Sequence, residues 1–160
     1  LHQGECPIAD IVELILKFRQ VKIPICSDIE RAYQQFWINP EHRTFLRFLW
    51  PLGISENPKA ETQEFQSSRL AFGLVSAPWL HCAGIRLHLE NEIRNRPQHR
   101  KILQFVKENF YIDDLLGFSD SEKEGKKVVD TLTEVFEAGC FPLNKWSTSS
   151  PEIGEYIKAK

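Results

Sequence analysis

The sequence predicts an α+β domain in which helices pack on one face of an antiparallel sheet. Apolar residues recur at helical spacing in segments 7–20, 77–95 and 121–138. Short β-branched or apolar runs lie between these segments. The turns lack the regular glycine-rich pattern of a doubly wound parallel sheet, so an antiparallel sheet covered by helices is the better fit.

Composition and charge exclude several classes of protein. The 160 residues are 42% hydrophobic and 11% aromatic, which is too apolar for a disordered chain. No apolar run approaches the ~20 residues of a membrane helix and no basic leader is recognisable, so we expect no membrane contact and a cytoplasmic location. A net charge of −2 is unlike that of a general nucleic-acid binder. The absence of Met indicates a segment of a longer polypeptide.

The first half of the chain combines one helix with three short strands. Segment 7–20 has the apolar spacing of a helix, and Pro7 suits its first position. Segment 21–28 is β-branched and apolar, which predicts a buried strand. Segments 43–50 and 64–72 are the next predicted strands, and the proline-containing stretch between them is predicted to be a loop.

The second half carries a candidate hairpin and a capped helix. Segment 108–119 is an apolar run interrupted by two adjacent acids, which indicates a hairpin. Ser121 and Glu124 are spaced as a capping box, and Gly139 stands where the following helix should end. Segment 141–146 is predicted to be a strand.

Asp28 stands at the end of a strand-like run, where a carboxylate without a partner is unfavourable. Its residue pattern has two interpretations. Ser27 and Glu30 also fit a capping box, so Asp28 could simply open a helix over 29–36. Alternatively, Asp28 is a functional carboxylate.

Asp113 and Asp114 are adjacent like charges between large apolar residues. Such a pair is destabilising unless a positive charge lies nearby. A solvated turn would explain the two acids, but the segment has no Gly or Asn, which such turns usually carry. A divalent metal also explains them, because hard cations prefer carboxylate oxygens. Asp28 would complete the site if the strands are neighbours.

Three segments in this order resemble the sequence boxes of reverse transcriptases. The first is a metal-binding Asp followed five residues later by an aromatic residue, the second a Phe-Gly turn that ends in Ser-x-Pro, and the third Tyr-x-Asp-Asp. In this sequence they are Asp28–Tyr33, Phe72–Pro78 and Tyr111–Asp114. Four segments resemble the Pao/BEL class of long-terminal-repeat retrotransposons, namely Arg47–Trp50, Phe72–Leu74, Leu143–Ser147 and Ser150–Glu152.

The resemblance implies a polymerase palm, the sheet domain that carries the catalytic acids, with part of the fingers. Asp28, Asp113 and Asp114 would be the catalytic carboxylates and metal ligands, and the backbone carbonyl of Ile29 would complete one metal shell. The cofactor would be two Mg²⁺ ions, with Mn²⁺ as a substitute. These ions would catalyse transfer of a nucleotide from a dNTP to a primer 3′-hydroxyl.

The resemblance also assigns residues to the substrates. Tyr33 would be a steric gate against the ribose 2′-hydroxyl, although an aromatic on a helix face is its simpler interpretation. Phe72 and Gly73 would line the nucleotide and template pocket, or form only a strand-to-helix turn. Tyr111 would lie near the primer end, or pack in a hairpin. Lys145 would protonate the leaving pyrophosphate, although an exposed lysine is common.

Arg47 would face the template or the nucleotide, or be an exposed strand residue. The five histidines form no ligand cluster and are expected to be surface or helix-packing residues. By this resemblance, residues 1–160 are a palm with partial fingers, lacking the N-terminal part of the fingers and the thumb. We therefore expect the fragment alone to be weak or inactive.

The expected partners are an RNA or DNA template with its primer, dNTP and the other domains of a retrotransposon polyprotein. The resemblance implies a cytoplasmic location, which includes the virus-like particles of such elements. One alternative is an inactive palm remnant or a co-opted binding or structural module. Another is an unrelated metal- or nucleotide-binding α+β domain. That last alternative requires Asp28 to lie far from Asp113.

Overall fold

A computed structural model describes residues 10–52 and 61–160 and confirms the α+β class, with an antiparallel sheet and packed helices. The helices are α1 (Ile11–Gln20), α2 (Ala77–Asn95), α3 (Arg100–Asn109), α4 (Glu122–Ala138) and α5 (Pro151–Lys158). The strands are β1 (Ile23–Ile29), β2 (Arg47–Pro51), β3 (Thr62–Gln66), β4 (Asp114–Ser119) and β5 (Leu143–Thr148). Short 3-10 helices span Ala32–Gln35, Pro40–Leu46 and Pro97–His99. In the described ranges, no helix has both the length and the apolar character needed to cross a membrane.

The central sheet has the order β4–β1–β5, and both pairings are antiparallel. Alternate residues of β1 are buried on one face of the sheet. Helix α4 packs on this face and contacts β1, β4 and β5. The largest buried side chains include Ile25, Leu115, Leu132 and Phe136. The opposite face carries Asp28 and is only partly covered. The sheet therefore separates an apolar core from a face that bears carboxylates. β2 and β3 form a separate two-stranded sheet.

Three N-terminal elements differ from the predictions. α1 begins at Ile11 because the Asp10 carboxylate caps it by accepting backbone N–H bonds, and Pro7 lies outside the described residues. The capping-box interpretation of Asp28 is wrong, because β1 continues through Ile29 and pairs with β5 there. The strand predicted over 43–50 begins only at Arg47, since a 3-10 helix with Asn39 as its N-cap occupies the preceding residues.

The C-terminal half follows the predictions more closely. α2 has the predicted bounds, and Ser121 accepts the Glu124 amide at the start of α4, which ends before Gly139. The predicted hairpin is only partly correct, because its first arm is the end of α3 and only Tyr111 pairs across the turn. α5 was not predicted; Ser150 caps it by accepting the Ile153 amide. Part of the loop predicted over 51–60 lies outside the described residues.

Candidate active site

Asp28 and Asp114 are directly opposite each other in the β1–β4 pairing. Because side chains alternate along a strand, both carboxylates lie on the sheet face away from the core. Partial burial, Asp113 and Asp28 together raise the pKa of Asp114, against the opposing effect of Lys145. Burial and the charge of Asp114 raise the pKa of Cys26, two residues earlier on β1, to about 11. This face therefore concentrates negative charge.

A tight turn carries Asp113 beside these two acids. The Tyr111 and Asp114 backbones exchange two hydrogen bonds, each of 2.9 Å between N and O. Ile112 has a φ of 54°, an uncommon and strained conformation for a β-branched residue. The Ile29 amide donates to the Asp113 carbonyl at 3.0 Å. The turn is thereby attached to the end of β1.

Lys145 reaches the same face through a β-bulge. Asp28 pairs with Asn144, and Cys26 pairs with Ser147, so β5 has one residue more than β1 in this interval. Lys145 adopts a left-handed φ of 51° in the bulge. Its ammonium Nζ lies 2.8 Å from Asp28 Oδ2. The hydrogen bond and charge of Asp28 raise the pKa of Lys145, so the amine stays protonated at neutral pH.

The chemistry of these donors fits Mg²⁺. Within residues 10–52 and 61–160, no group of three or more His, Cys, Asp or Glu side chains is close enough to hold a metal ion as arranged. Mg²⁺, however, usually takes only one or two protein carboxylates together with substrate phosphates and water. Asp28 and Asp114 supply two such carboxylates on one face, and Asp113 supplies a third on the adjoining turn. The Lys145 ammonium already occupies this face as a positive charge.

Aromatic residues lie next to the acids. The Tyr33 ring centroid is 4.9 Å from that of Phe72 and 5.1 Å from that of His81. The negative charge of Asp113 contributes, after burial and Cys82, to a raised pKa of Tyr33, so the phenol stays neutral. The rings therefore form one wall beside the carboxylates, with Phe72 largely exposed.

The other predicted site residues vary in their placement. Gly73 has a φ of 86°, which favours glycine, and a Cβ built there would meet no atom of the described residues within 4 Å. Tyr111 is partly buried and closes the Asp113 turn. Arg47 is not brought to the acids; on β2 it pairs with Glu64 of β3 at 3.2 Å.

A polar cavity of about 420 Å³ adjoins the aromatic wall, and Phe72 lines both. Arg31 and Arg69 give the cavity positive charge. The Arg69 guanidinium carbon lies 3.7 Å from the Trp37 ring centroid, and Nη1 donates to the Gln34 carbonyl at 2.9 Å. Arg31 has a left-handed φ of 51° and its side chain is mostly exposed. Neither arginine was predicted from the sequence to be a site residue.

His81 was expected to be a surface or packing residue, and it is buried in the packing of α2. Its imidazole Nε2 also lies 2.9 Å from the Ile112 carbonyl oxygen, so it contacts the Asp113 turn. The buried face of α2 is visible in the sequence as residues spaced four positions apart, namely Ala77, His81, Ile85 and Leu89. That spacing indicates burial, but not the contact with the turn.

The structure thus brings Asp28, Asp113 and Asp114 together with Lys145 and Tyr33. The alternative of an unrelated domain required Asp28 to lie far from Asp113. This requirement is not met, because the backbone amide of Ile29, the residue after Asp28, donates a hydrogen bond to the Asp113 carbonyl. A scan of the sequence against protein-family models finds no match.

Proposed function

We propose that the chain is the palm core of an RNA-directed DNA polymerase of a retrotransposon. It would extend the 3′-hydroxyl of a primer with nucleotides from dNTP. The observation that carries the proposal is the cross-strand pairing of Asp28 with Asp114 beside the Asp113 turn. The three acids come from two sequence boxes about 85 residues apart, and both boxes resemble those of reverse transcriptases.

The acids would hold two Mg²⁺ ions, for which Mn²⁺ could substitute. When bound, the ions would activate the primer hydroxyl and stabilise the pyrophosphate leaving group. Asp28 and Asp113 would be the main ligands, with Asp114 contributing less directly and the Ile29 carbonyl completing one shell. Burial, Asp113 and Asp28 raise the pKa of Asp114, and the repulsion from the two other acids supports this assignment, because a divalent cation would relieve it.

The nucleotide would lie against the aromatic wall. Tyr33 is the proposed steric gate, and its packing on Phe72 supports a fixed ring position. A ring held under the sugar would exclude a 2′-hydroxyl and so favour deoxynucleotides. Gly73 adds no side chain to the open space beside Phe72, and Tyr111 would border the primer end. The cavity with Arg31 and Arg69 has the charge to accept a triphosphate.

Lys145 is the proposed proton donor to the leaving pyrophosphate. Its contact with Asp28 supports a position beside the reacting groups, and its raised pKa keeps the proton available at neutral pH. To donate, the ammonium must leave Asp28 and approach the phosphate oxygens. A metal ion at Asp28 would favour that movement by replacing the ammonium charge.

The partners would be an RNA or DNA template with its primer, dNTP and further domains of a polyprotein. The β2–β3 sheet would be part of the fingers; all ten of its residues are exposed, and Phe48 and Phe65 stack on it. α1 also exposes apolar side chains, including Val12 and Leu16. Exposed apolar side chains on these elements support packing against further protein. The proposed location is the cytoplasm, which would include the virus-like particles of such an element.

The test is Mg²⁺-dependent incorporation of a labelled deoxynucleotide on a poly(rA)/oligo(dT) primer-template. The 160-residue chain is compared with a chain extended at both ends, and each is compared with Asp113→Asn. Asp120→Asn is the matched control, because Asp120 is an exposed acid that follows β4 at its far end. Incorporation by the extended chain that is lost only in Asp113→Asn supports the proposal. Duplex binding without incorporation would instead favour an inactive palm that serves as a binding module.

A further inference from the structure

Among the described residues, His81 has a hydrogen-bond partner at Nε2 and none at Nδ1. Its side chain is completely buried. The Ile112 carbonyl can only accept, so the Nε2 atom, 2.9 Å away, must carry the proton. Nδ1 is buried and has no hydrogen-bond partner within the described residues. Burial lowers the pKa of His81, which favours a neutral imidazole. The ring therefore donates to the turn through Nε2.

The acceptor of the His81 hydrogen bond is the carbonyl of Ile112, the strained residue of the turn. Ile112 is β-branched and has a φ of 54°, so its conformation requires support from surrounding groups. The two bonds between Tyr111 and Asp114 close the turn, and the bond from Ile29 attaches it to β1. The His81 bond adds a second attachment to another element, α2, at the residue that directly precedes Asp113.

The same imidazole also packs against the aromatic wall. Its centroid is 5.1 Å from that of Tyr33 at an interplanar angle of 31°, and 5.4 Å from that of Phe36 at 81°. A single side chain thus contacts the ring proposed to select the sugar and the turn proposed to carry a metal ligand. Moving His81 would disturb both.

We propose that His81 is a positioning residue that holds the Ile112 carbonyl, and thereby Asp113, in place while supporting the Tyr33 ring. The catalytic meaning of this role rests on the proposed polymerase function, but the mechanical role does not. The geometry serves this purpose because one buried ring contacts both the turn and the Tyr33 ring.

The test compares three substitutions. In Gln the amide nitrogen reaches the position of Nε2, whereas in Asn it reaches that of Nδ1, so His81→Gln keeps the donor and His81→Asn does not. His81→Leu fills the space without a donor. Amide hydrogen exchange is measured by NMR at Ile29, Tyr111 and Asp114, with Leu132 in α4 as the internal reference for global unfolding.

We expect His81→Leu and His81→Asn to accelerate exchange at the three turn amides about tenfold relative to Leu132, while His81→Gln stays within about threefold of the parent. Unchanged protection in His81→Leu would overturn the proposal, as would equal loss in the Gln and Asn variants. Loss at Leu132 that matches the turn amides in all variants, which indicates a purely structural role, would also overturn it.

Exchange is measured without substrate, so its outcome is independent of polymerase activity. If the extended chain incorporates no nucleotide, the proposed function fails while the exchange result still decides the role of His81. If it does incorporate nucleotide, kcat should fall in His81→Asn and recover in His81→Gln. A kcat that falls equally in both variants would contradict the positioning role.

Discussion

The Lys145 ammonium lies 2.8 Å from Asp28 Oδ2, and a bulge in β5 makes this contact possible. Without the extra residue, the pairing would continue in regular alternation past Asp28. With it, Lys145 takes a left-handed conformation and reaches across to β1. The pair neutralises one of the two carboxylates on this face, which the turn with Asp113 adjoins.

Replacing Lys145 with Met should strengthen metal binding at Asp28. The ammonium competes with a divalent ion for the same carboxylate, so we expect Mn²⁺ affinity to rise by up to about fivefold in the absence of nucleotide. Nucleotide incorporation should fall, because the proposed proton donor is gone. Titration calorimetry measures the affinity. Lys127→Met, an exposed lysine on α4, is the control and should change neither quantity.

Asp114 should make stability depend on pH with a definite sign. Its pKa in the folded state is raised above the ordinary value of 3.8, so folding favours the protonated form. Its contribution to stability is fully present below pH 3.8 and is lost as the pH rises through the raised pKa. Asp114→Asn should therefore raise the free energy of unfolding at pH 7 by less than ~1 kcal/mol.

The measurement for Asp114 is the difference between parent and variant urea unfolding free energies from pH 3 to pH 7, where the pH values are chosen to span the titration. The advantage of Asp114→Asn should grow as the pH rises. Asp120→Asn provides the comparison and should give a flat difference. A difference that shrinks toward neutral pH would contradict the repulsion inferred among the acids.

Tyr33→Ala should relax the choice of sugar. Loss of the ring would remove the clash with a 2′-hydroxyl, and ribonucleotide use relative to deoxynucleotide use should rise roughly tenfold or more. Tyr33→Phe keeps the ring and should keep the selectivity. The ratio of kcat/KM values for the two nucleotides is the measurement. Equal selectivity in the parent and in Tyr33→Ala would contradict the proposal that Tyr33 is the steric gate.

Two helical glycines give opposite expectations for stability. A Cβ on Gly84 in α2 would lie 2.2 Å from Phe36 Cε1, so Gly84→Ala should destabilise the fold by about 1–3 kcal/mol. A Cβ on Gly154 in α5 would meet, in the part of the chain that the structure describes, nothing nearer than Thr148 Cγ2 at 4.0 Å. Gly154→Ala should therefore stabilise the fold by up to ~1 kcal/mol. Thermal unfolding measures the stability of both variants. Equal changes in stability would contradict the close approach between Gly84 and Phe36.

Much of the fold could be predicted because local pattern decides it. The helical spacing and Ser76-Ala77-Pro78 start gave the bounds of α2, and the apolar run before Asp28 gave β1 to within two residues. The failures occur where tertiary contacts prevail. The capping pattern at Ser27 predicted the start of a helix. Instead, β1 continues through Ile29 and pairs there with β5, a contact between distant segments that no local pattern encodes.

The site could be predicted in part for the same reason. The adjacent acids at 113–114 are visible as an anomaly in the sequence, and their resemblance to a known box linked them to Asp28. The bulge that brings Lys145 to Asp28 depends on strand register, and register is set by pairing between distant segments. The hydrogen bond from His81 to Ile112 likewise joins α2 to a turn 31 residues later.

Paramagnetic broadening by Mn²⁺ tests most directly whether the three acids form one divalent-metal site. The ion is titrated into the isotopically labelled 160-residue chain, and its amide signals are followed by NMR. We expect selective broadening around Asp28, Asp113 and Asp114 at substoichiometric Mn²⁺, reversal by excess Mg²⁺, and loss of the effect in Asp28→Asn. Broadening centred elsewhere, or unchanged in Asp28→Asn, would contradict a shared metal site and with it the proposed chemistry.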